Sequence, residues 1–270
     1  MTTTGGPRDG QDVGEGFTRA ADDYDDLLRR NRDGARRLVA SLPDGRYDDV
    51  LDVGCGTGFV TEAMVDRFAT RRVTGVDPSE GMLERFREKL GGRVDATLQV
   101  AGVHDMDVPE GAFDAVVSGM AFHWFPEKPA AIAAMARPLR PGGALGILAS
   151  ASGTDAEFRA VLEGIRPPVP AEWTGVFDVI QRSADEVAGW MGDAGLDVID
   201  AWEERRVRRQ GPDAYLARIA AVASHLSASL DPEEAAAHVE RVTRAVHGAS
   251  GPDGFRFAFV KLFAIARRPA

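Results

Sequence analysis

The sequence predicts an α/β fold in which a doubly wound, mostly parallel sheet carries helices on both faces. From Tyr47 onward, short apolar runs that suit buried strands alternate with segments of helical periodicity. A glycine-rich turn, Gly54–Gly58, follows the first apolar run, and Asp77 ends the second. Alternation of this kind implies right-handed βαβ units, and ligands of such folds bind at the carboxyl ends of the strands.

The N-terminal segment precedes this alternation and differs from it in composition. Residues 1–16 contain five glycines and almost no apolar side chains, so we expect a disordered tail. Apolar residues spaced by three and four between Phe17 and Leu42 predict helices. We expect Asn31–Gly34 to divide this stretch into two helices, and Pro43–Gly45 to form a turn.

The central part of the chain predicts five strands and the helices between them. Short apolar runs predict strands at 50–53, 73–76, 96–100, 113–117 and 144–149. Helical periodicity predicts helices at 57–68, 78–90 and 129–139. Pro141–Gly143 is expected to form the turn that leads into the fifth strand.

The C-terminal part predicts two further strands and more helices. We expect a helix at 184–194, a sixth strand at 196–202, Ala-rich helices over 212–248 and a last strand at 255–265. Pro232 is expected at the start of the second of those Ala-rich helices. We interpret residues 17–270 as one domain, in which segments at about 151–180 and 205–250 cover the active face.

Composition limits the classes of function. The chain has 32 Lys and Arg against 42 Asp and Glu, a formal net charge of −10, which argues against a nucleic-acid partner. The single cysteine, Cys55, can form neither an internal disulfide nor a multi-cysteine zinc site. No apolar run is long enough for a transmembrane helix, and Met1–Gln11 lacks the apolar region of a signal peptide. We therefore expect a cytoplasmic protein without a membrane partner.

The segment Leu51–Gly58, with sequence LDVGCGTG, is the most informative motif. Its glycines allow a sharp turn and close contact between a ligand and the main chain, and the next helix offers unpaired N–H groups. Phe59 occupies the place of the third glycine in a dinucleotide fingerprint, and no Gly-Lys-Ser/Thr of a Walker motif follows. Asp77, 23 residues after Gly54, can accept hydrogen bonds from ribose hydroxyls.

Several motifs occur along the chain in an order that resembles a known family. They are Val50–Gly58, Gly75–Ser79 with Met82, Asp105–Met106 before Pro109, Phe113–Ser118 and Leu139–Gly143. In this order they resemble the class I S-adenosylmethionine-dependent methyltransferases, in particular the group that includes ubiquinone/menaquinone-biosynthesis and trans-aconitate methyltransferases. The resemblance implies a Rossmann-like, seven-stranded, mostly parallel sheet whose last strand is antiparallel, with N-terminal helices and a helical cap.

The same resemblance implies a binding site for S-adenosylmethionine. The glycine loop would pass under the methionine moiety, Asp77 would hold the ribose, and Met82 would pack on the adenine. Asp105 would accept from the adenine amino group, while His104 stands where the family often has an acidic residue. The implied cofactor-binding set is Tyr24, Asp52, Gly54, Cys55, Gly56, Thr57, Gly58, Asp77, Pro78, Ser79, Met82, His104, Asp105, Met106, Ser118, Gly119 and Trp124.

The segment Ala121–Phe125 follows the fourth strand, where a methyl acceptor would meet the cofactor. His123 titrates near neutral pH, so it is a candidate catalytic base or hydrogen-bond donor; the alternative is a structural histidine. An alcohol or ammonium acceptor needs a base, whereas a carboxylate is already ionised at pH 7. The aromatic residues of this segment are interpreted mainly as cofactor or core packing.

The segments expected to cover the site carry aromatic, histidine and basic residues. Trp173, Phe177 and Tyr215 suit either an apolar substrate pocket or helix packing. The spacings of His225, His238 and His247 place them on no common helical face, so we expect no metal site. The basic cluster Arg205–Arg209 could attract an anionic substrate, or it could be a solvated, charged strand end that follows two glutamates.

These observations favour an enzyme, a methyltransferase that acts on a small molecule with S-adenosylmethionine as cofactor. The first hypothesis is O-methylation of a carboxylate or hydroxyl group by a monomer or homodimer. The alternatives are C- or N-methylation of a small metabolite, or a cyclase or scaffold of this fold that binds the cofactor without methyl transfer. A nicotinamide-dependent oxidoreductase is disfavoured by Phe59.

Overall fold

The computed structural model describes residues 30–175, 177–180, 182–223 and 231–270. The predicted tail at 1–16, Phe17, Tyr24 and His225 lie outside the described residues. The strands are β1 (Asp49–Val53), β2 (Arg72–Asp77), β3 (Asp95–Val100), β4 (Phe113–Gly119), β5 (Leu139–Ser150), β6 (Asp197–Gln210) and β7 (Phe255–Arg267). The helices are α1 (Arg30–Ser41), α2 (Phe59–Phe68), α3 (Glu80–Leu90), α4 (Lys128–Ala136), α5 (Ala156–Gly164), α6 (Ala171–Gly175), α7 (Ala184–Asp193), α8 (Pro212–Ala223) and α9 (Pro232–Gly248).

The seven strands form one sheet in the order β3-β2-β1-β4-β5-β7-β6. Strands β1 to β5 pair in parallel, whereas β7 is antiparallel to both of its neighbours, β5 and β6. The fold class predicted from the sequence is therefore confirmed, including the antiparallel last strand. Because β1 lies between β2 and β4, the chain changes direction across the sheet at β1, and a crevice forms there at the carboxyl ends of the strands.

Helices on both faces bury the apolar strands, as the continuous apolar runs predict. On one face, α1, α2 and α3 cover β1 with an apolar cluster that includes Leu38, Met64 and Phe86. On the other face, α4 and α7 contribute Met135 and Met191 to a second cluster. A third cluster, beneath α5, α8 and α9, contains Phe158, Leu162, Tyr215, Val246 and Phe257.

The expected division of the N-terminal helices at Asn31–Gly34 is wrong, because α1 continues through these residues. A glycine in a helix costs only about 1 kcal/mol, and the face of α1 that carries Leu38 and Leu42 is buried against the sheet. Gly34 also meets a steric requirement. A Cβ atom at this position would lie 2.6 Å from Lys261 Nζ and 2.9 Å from Leu148 Cδ2.

The prediction of a turn at Pro141–Gly143 is also wrong, because these residues lie inside β5. The pairing between β4 and β5 shifts register between Phe113 and Ala115, and Gly142 adopts a φ of 78°. The Gly142 N–H donates to the Arg268 carbonyl at 2.9 Å. The Pro-Gly-Gly signal therefore produces a bulge within a long strand rather than a turn before a short one.

The sixth strand extends eight residues past its predicted end, to Gln210. Its second half includes Glu203–Arg209, in which every residue except Val207 is charged, and periodicity alone does not identify such a segment as a strand. These residues pair with β7 as far as Arg256. The first residues of the segment expected to cover the site from about residue 205 therefore belong to β6. Within the described ranges, we find no helix long and apolar enough to cross a membrane.

Candidate functional site

The glycine loop turns the chain from β1 into α2. Gly54, Gly56 and Gly58 all adopt positive φ angles, of 69°, 51° and 87°, which glycine adopts without steric cost. The backbone N–H groups of Gly54 and Cys55 both donate to the Val76 carbonyl, at 2.7 and 3.1 Å. These bonds hold the loop against the end of β2.

The carboxylate of Asp77, the last residue of β2, organises this loop. Its Oδ2 accepts from the Gly56 N–H and its Oδ1 from the Ser79 N–H, both at 2.9 Å. Burial raises the pKa of Asp77 to about 6, while these two hydrogen bonds favour the charged form. Sequence reasoning predicted a ribose contact for Asp77 and missed that the same side chain joins the glycine loop to the start of α3.

Asp52, on β1, is a second buried carboxylate beside the loop. Its Oδ2 accepts from the Thr61 hydroxyl at 2.7 Å, whereas its buried Oδ1 has no hydrogen-bond partner. Burial, with a smaller contribution from Asp77, raises the pKa of Asp52 to about 7. An unpartnered carboxylate oxygen in the interior is unfavourable. This atom is therefore suited to a hydrogen-bond donor of a ligand.

These groups line one cleft at the carboxyl ends of β1, β2 and β4. Of the predicted cofactor-binding set, nine residues line it: Asp52, Gly54, Cys55, Gly56, Thr57, Asp77, Met82, Gly119 and Trp124. The lining also includes seven residues that were not predicted: Asn31, Ala35, Phe59, Val60, Met120, Ala121 and Leu148. Met120, Ala121 and Phe59 adjoin predicted positions and could have been found from them. The others come from α1, α2 and β5 and carry no sequence signal of their own.

Two other members of the predicted set stabilise the elements around the cleft. A Cβ atom at Gly58 would lie 2.5 Å from Leu90 Cδ1, so this glycine allows α3 to pack against the loop. The Ser79 hydroxyl accepts from the Met82 N–H at 3.2 Å and caps α3. Pro78 stands between β2 and α3.

The remaining predicted residues lie at the margin of the cleft. Ser118 is buried within β4, and its hydroxyl has no hydrogen-bond partner. His104, Asp105 and Met106 lie in the turn after β3. This turn begins next to Asp77, whose carbonyl accepts from the Ala101 N–H at 3.2 Å. The turn is therefore close to the end of β2 without lining the cleft.

His123 lies in a short 3-10 helix, Phe122–Trp124, and its side chain is buried. Its Nδ1 accepts from the Ser150 N–H at 3.5 Å, and burial lowers its pKa to about 3. His123 is also not among the residues that line the cleft. Because the imidazole of His123 is neutral and enclosed, the structure favours a structural role for this histidine over the role of a catalytic base.

A second cavity, of about 510 Å³, adjoins the cleft and shares Asn31 with it. Its walls come from α1, β6, β7 and α8. They comprise Asn31, Asp33, Gly34, Arg37, Glu204, Arg206, Arg208, Arg218, Phe257, Phe259, Lys261 and Phe263. Two members of the predicted basic cluster, Arg206 and Arg208, thus line a cavity, and the structure brings them together with cations from three other elements.

The aromatic residues of the covering segments pack among themselves. Phe177 and Tyr215 are buried in the third apolar cluster, and Trp173 packs against it. The Tyr215 hydroxyl donates to Asp155 Oδ1 at 2.9 Å. None of these three residues lines the cleft or the second cavity, so the structure favours helix packing for them.

Comparisons with known proteins show which proteins this chain is similar to. A family model described as a methyltransferase domain matches residues 50–143. The chain is 34% identical over 140 residues to malonyl-[acyl-carrier protein] O-methyltransferase of Hahella chejuensis, an alignment that spans 52% of this chain and 50% of that protein. It is 29% identical over 243 residues to trans-aconitate 2-methyltransferase of Methylobacterium nodulans, which covers 87% of this chain and 92% of the relative.

Solved structures show the same fold. One is phosphoethanolamine N-methyltransferase 2 of Haemonchus contortus in complex with S-adenosyl-L-methionine. It aligns with a TM-score of 0.57 at 16% identity and covers 99% of this chain and 61% of that chain. At this identity, the likeness concerns the fold alone.

Proposed function

We propose that this chain, which belongs to the class I S-adenosylmethionine-dependent methyltransferases, methylates a small molecule on oxygen. The observation that carries the proposal is the cleft that joins the glycine loop, Asp77 and the unpartnered Oδ1 of Asp52 at the point where the sheet order reverses. Relatives named as O-methyltransferases support the choice of oxygen.

The cleft fits S-adenosylmethionine on the chemistry of its lining. Asp77 ends β2, where a carboxylate can accept from ribose hydroxyls. Asp52 Oδ1 would accept from the ammonium group of the methionine moiety. A Cβ atom at Gly56 would meet no atom within 4 Å, so the loop leaves open space on this side. Met82 is buried and supplies a flexible apolar contact for the adenine.

When bound, the cofactor supplies a methyl group that its sulfonium charge has already activated. The chain's own task is to align an acceptor oxygen with that methyl carbon and to exclude water. Met120, Ala121, Trp124 and Leu148 provide apolar walls for this purpose. Proximity and orientation can supply several kcal/mol of the rate enhancement.

The titratable groups on the cleft favour an acceptor that is already ionised. Within the described part of the chain, the titratable side chains that line the cleft are Asp52, Cys55 and Asp77. The two carboxylates are assigned to the cofactor, and burial raises the pKa of the Cys55 thiol well above its ordinary value. A carboxylate acceptor needs no base, so it suits this lining better than an alcohol.

The first test uses methyl-labelled S-adenosylmethionine with the purified protein and a small-molecule extract of the source cells. We expect a labelled product by mass spectrometry, and its hydrolysis by mild base would identify an ester. Asp77→Ala should weaken cofactor binding by about 2–4 kcal/mol, because charge-assisted hydrogen bonds are lost, and should abolish labelling at low cofactor concentration. Tight cofactor binding without any labelled product would contradict methyl transfer.

A further inference from the structure

Strands β6 and β7 present a mixed basic and aromatic face to the second cavity. Alternate residues of a strand point to the same side of the sheet. On β7 these are Phe257, Phe259, Lys261 and Phe263, and their cross-strand partners on β6 are Arg208, Arg206, Glu204 and Trp202, respectively. Two phenylalanines of β7 thus lie beside two arginines of β6 on one surface, and Lys261 lies beside Glu204.

The lining of this cavity carries more positive than negative charge, whereas the whole protein is negative. It contains the five basic residues Arg37, Arg206, Arg208, Arg218 and Lys261, against the two acidic residues Asp33 and Glu204. Arg218 is paired with the buried Asp155 at 2.8 Å, which leaves four basic residues against two acidic ones. Glu204 is shared between Arg37, at 3.3 Å, and Arg206, at 3.4 Å. The cavity is therefore locally positive in a chain of net charge −10. A concave surface of one charge sign concentrates ligands of the opposite sign.

Lys261 lies at the end of the cavity that meets the cleft. A Cβ atom added to Gly34 would lie within 3 Å of both Lys261 Nζ and Leu148 Cδ2, so these two side chains are close neighbours. Leu148 lines the cleft and Lys261 lines the second cavity. Burial lowers the pKa of Lys261 to about 8, with Arg206 and Arg208 lowering it further and Asp33 and Glu204 raising it. The side chain is thus mainly an ammonium group at pH 7.

The rest of the cavity suits an apolar ligand body. Phe257, Phe259 and Phe263 lie in its walls, and of these three Phe259 is the one whose ring is partly exposed. Phe263 stacks on Trp202 with ring centroids 4.8 Å apart. The volume, about 510 Å³, lies within the range of small-molecule sites. A ligand with a negative group at one end and an apolar body would match both features.

We propose that the second cavity binds the methyl acceptor, and that this acceptor is an amphipathic carboxylic acid. Its carboxylate contacts Lys261 beside the cleft, and its apolar body lies along Phe259 and Phe257 toward Arg208. This rests on the proposed function, because the cleft is taken as the cofactor site. One carboxylate oxygen forms the new bond to the methyl carbon while the carbon–sulfur bond breaks. Sulfur keeps the electron pair, and no proton is transferred.

The test measures binding of octanoate, octylamine and 1-octanol by calorimetry to protein saturated with S-adenosylhomocysteine. We expect octanoate to bind more tightly than the other two. Lys261→Met should weaken octanoate binding by about ten-fold or more, which is the loss of affinity typical of a charge-assisted contact. Arg206→Met, at an exposed position of the cavity wall near Lys261, should weaken octanoate binding several-fold, because it removes a positive charge close to the carboxylate.

Arg205→Met is the matched control. Arg205 and Arg206 are adjacent, exposed and equally charged, but they point to opposite faces of β6, and only Arg206 lines the cavity. Arg205→Met should therefore change octanoate affinity by less than two-fold. Equal losses for Arg206→Met and Arg205→Met, or 1-octanol binding as tightly as octanoate, would overturn the proposal.

Titration of S-adenosylhomocysteine alone separates the two proposals. If S-adenosylhomocysteine binds and octanoate does not, the proposal of a carboxylate site in the second cavity is wrong, and the proposed methyltransferase function stands. If S-adenosylhomocysteine does not bind, the proposed function fails. In that case, octanoate binding with the same difference between Arg206→Met and Arg205→Met would still support a carboxylate site in the second cavity.

Discussion

At the scale of single residues, the site is dominated by two buried carboxylates that have few hydrogen bonds. Asp77 is held by two backbone N–H groups, whereas Asp52 has one partnered and one unpartnered oxygen. Both pKa values are raised, mainly by burial, so the ionised forms destabilise the folded protein without cofactor. Groups of this kind lower the stability of the folded protein without ligand, and they leave hydrogen-bond acceptors that a ligand can use.

Asp52→Asn should therefore stabilise the cofactor-free protein at pH 8 while weakening cofactor binding. The folded-state pKa of Asp52, about 7, lies above the ordinary 3.8, so the wild type loses stability as pH rises from about 4 to 7. The Asp52→Asn variant does not lose stability in this way, because an amide side chain does not ionise. We expect a gain of about 1–2 kcal/mol in the free energy of unfolding at pH 8, and almost none at pH 4, by denaturant unfolding.

Asp95→Asn, at an exposed position, is the control for removing one carboxylate and should change stability by less than about 0.5 kcal/mol. An Asp52→Asn gain that did not grow with pH would contradict the assignment of the cost to the ionised carboxylate.

At the scale of elements, the turn between β1 and α2 combines two glycines with different tasks. A Cβ at Gly58 would collide with Leu90 and Phe86 of α3, at 2.5 and 2.9 Å. A Cβ at Gly56 would meet no atom within 4 Å and would point into open space. Gly58 thus allows two elements to pack, and under the proposed function the open space at Gly56 would hold the cofactor.

We expect Gly58→Ala to destabilise the protein by about 3 kcal/mol, through the positive φ and the overpacking of α3. Gly56→Ala should cost only about 1 kcal/mol, from its backbone angle, but should reduce cofactor affinity at least ten-fold. Thermal unfolding and a cofactor titration of the two variants give the comparison. Equal effects of both variants on stability would contradict this division of roles.

At the scale of the whole molecule, both cavities lie at the same end of one sheet and meet at Asn31. The cleft takes its walls from α1, β1, β2, β4 and β5, so a ligand there bridges the centre of the fold. Binding to the folded state alone stabilises the protein by about 2.7 kcal/mol when the ligand is at 100 times its Kd.

S-adenosylhomocysteine should therefore raise the Tm, and the rise should be larger at pH 8 than at pH 5. At pH 5, Asp77 and Asp52, with pKa values near 6 and 7, are mainly protonated in the cofactor-free protein and accept hydrogen bonds less well. Calorimetric scans at the two pH values measure this. Asp77→Ala should remove most of the rise at pH 8; an equal rise at both pH values in the wild type would contradict the role of the carboxylates.

Short segments of the sequence were enough to predict several parts of this protein. The apolar runs of β1 and β2, the glycine loop and Asp77 at a strand end are each specified by neighbouring residues, because burial and backbone angles impose local patterns. From these patterns the fold class follows, and the fold class is confirmed. Nine residues of the cofactor-binding set that the family resemblance implied line one cleft.

Which distant segments share a surface follows from the packing of the folded chain and could not be predicted from short segments. The basic cluster of β6 is split between two faces, and Arg208 meets Phe257, because β6 pairs with a strand nearly 50 residues away. Asn31 and Leu148 line the cleft because α1 packs across the sheet over Gly34, which has no side chain to prevent it. Strand register and helix packing arise from the burial of the whole apolar surface, which no local pattern records.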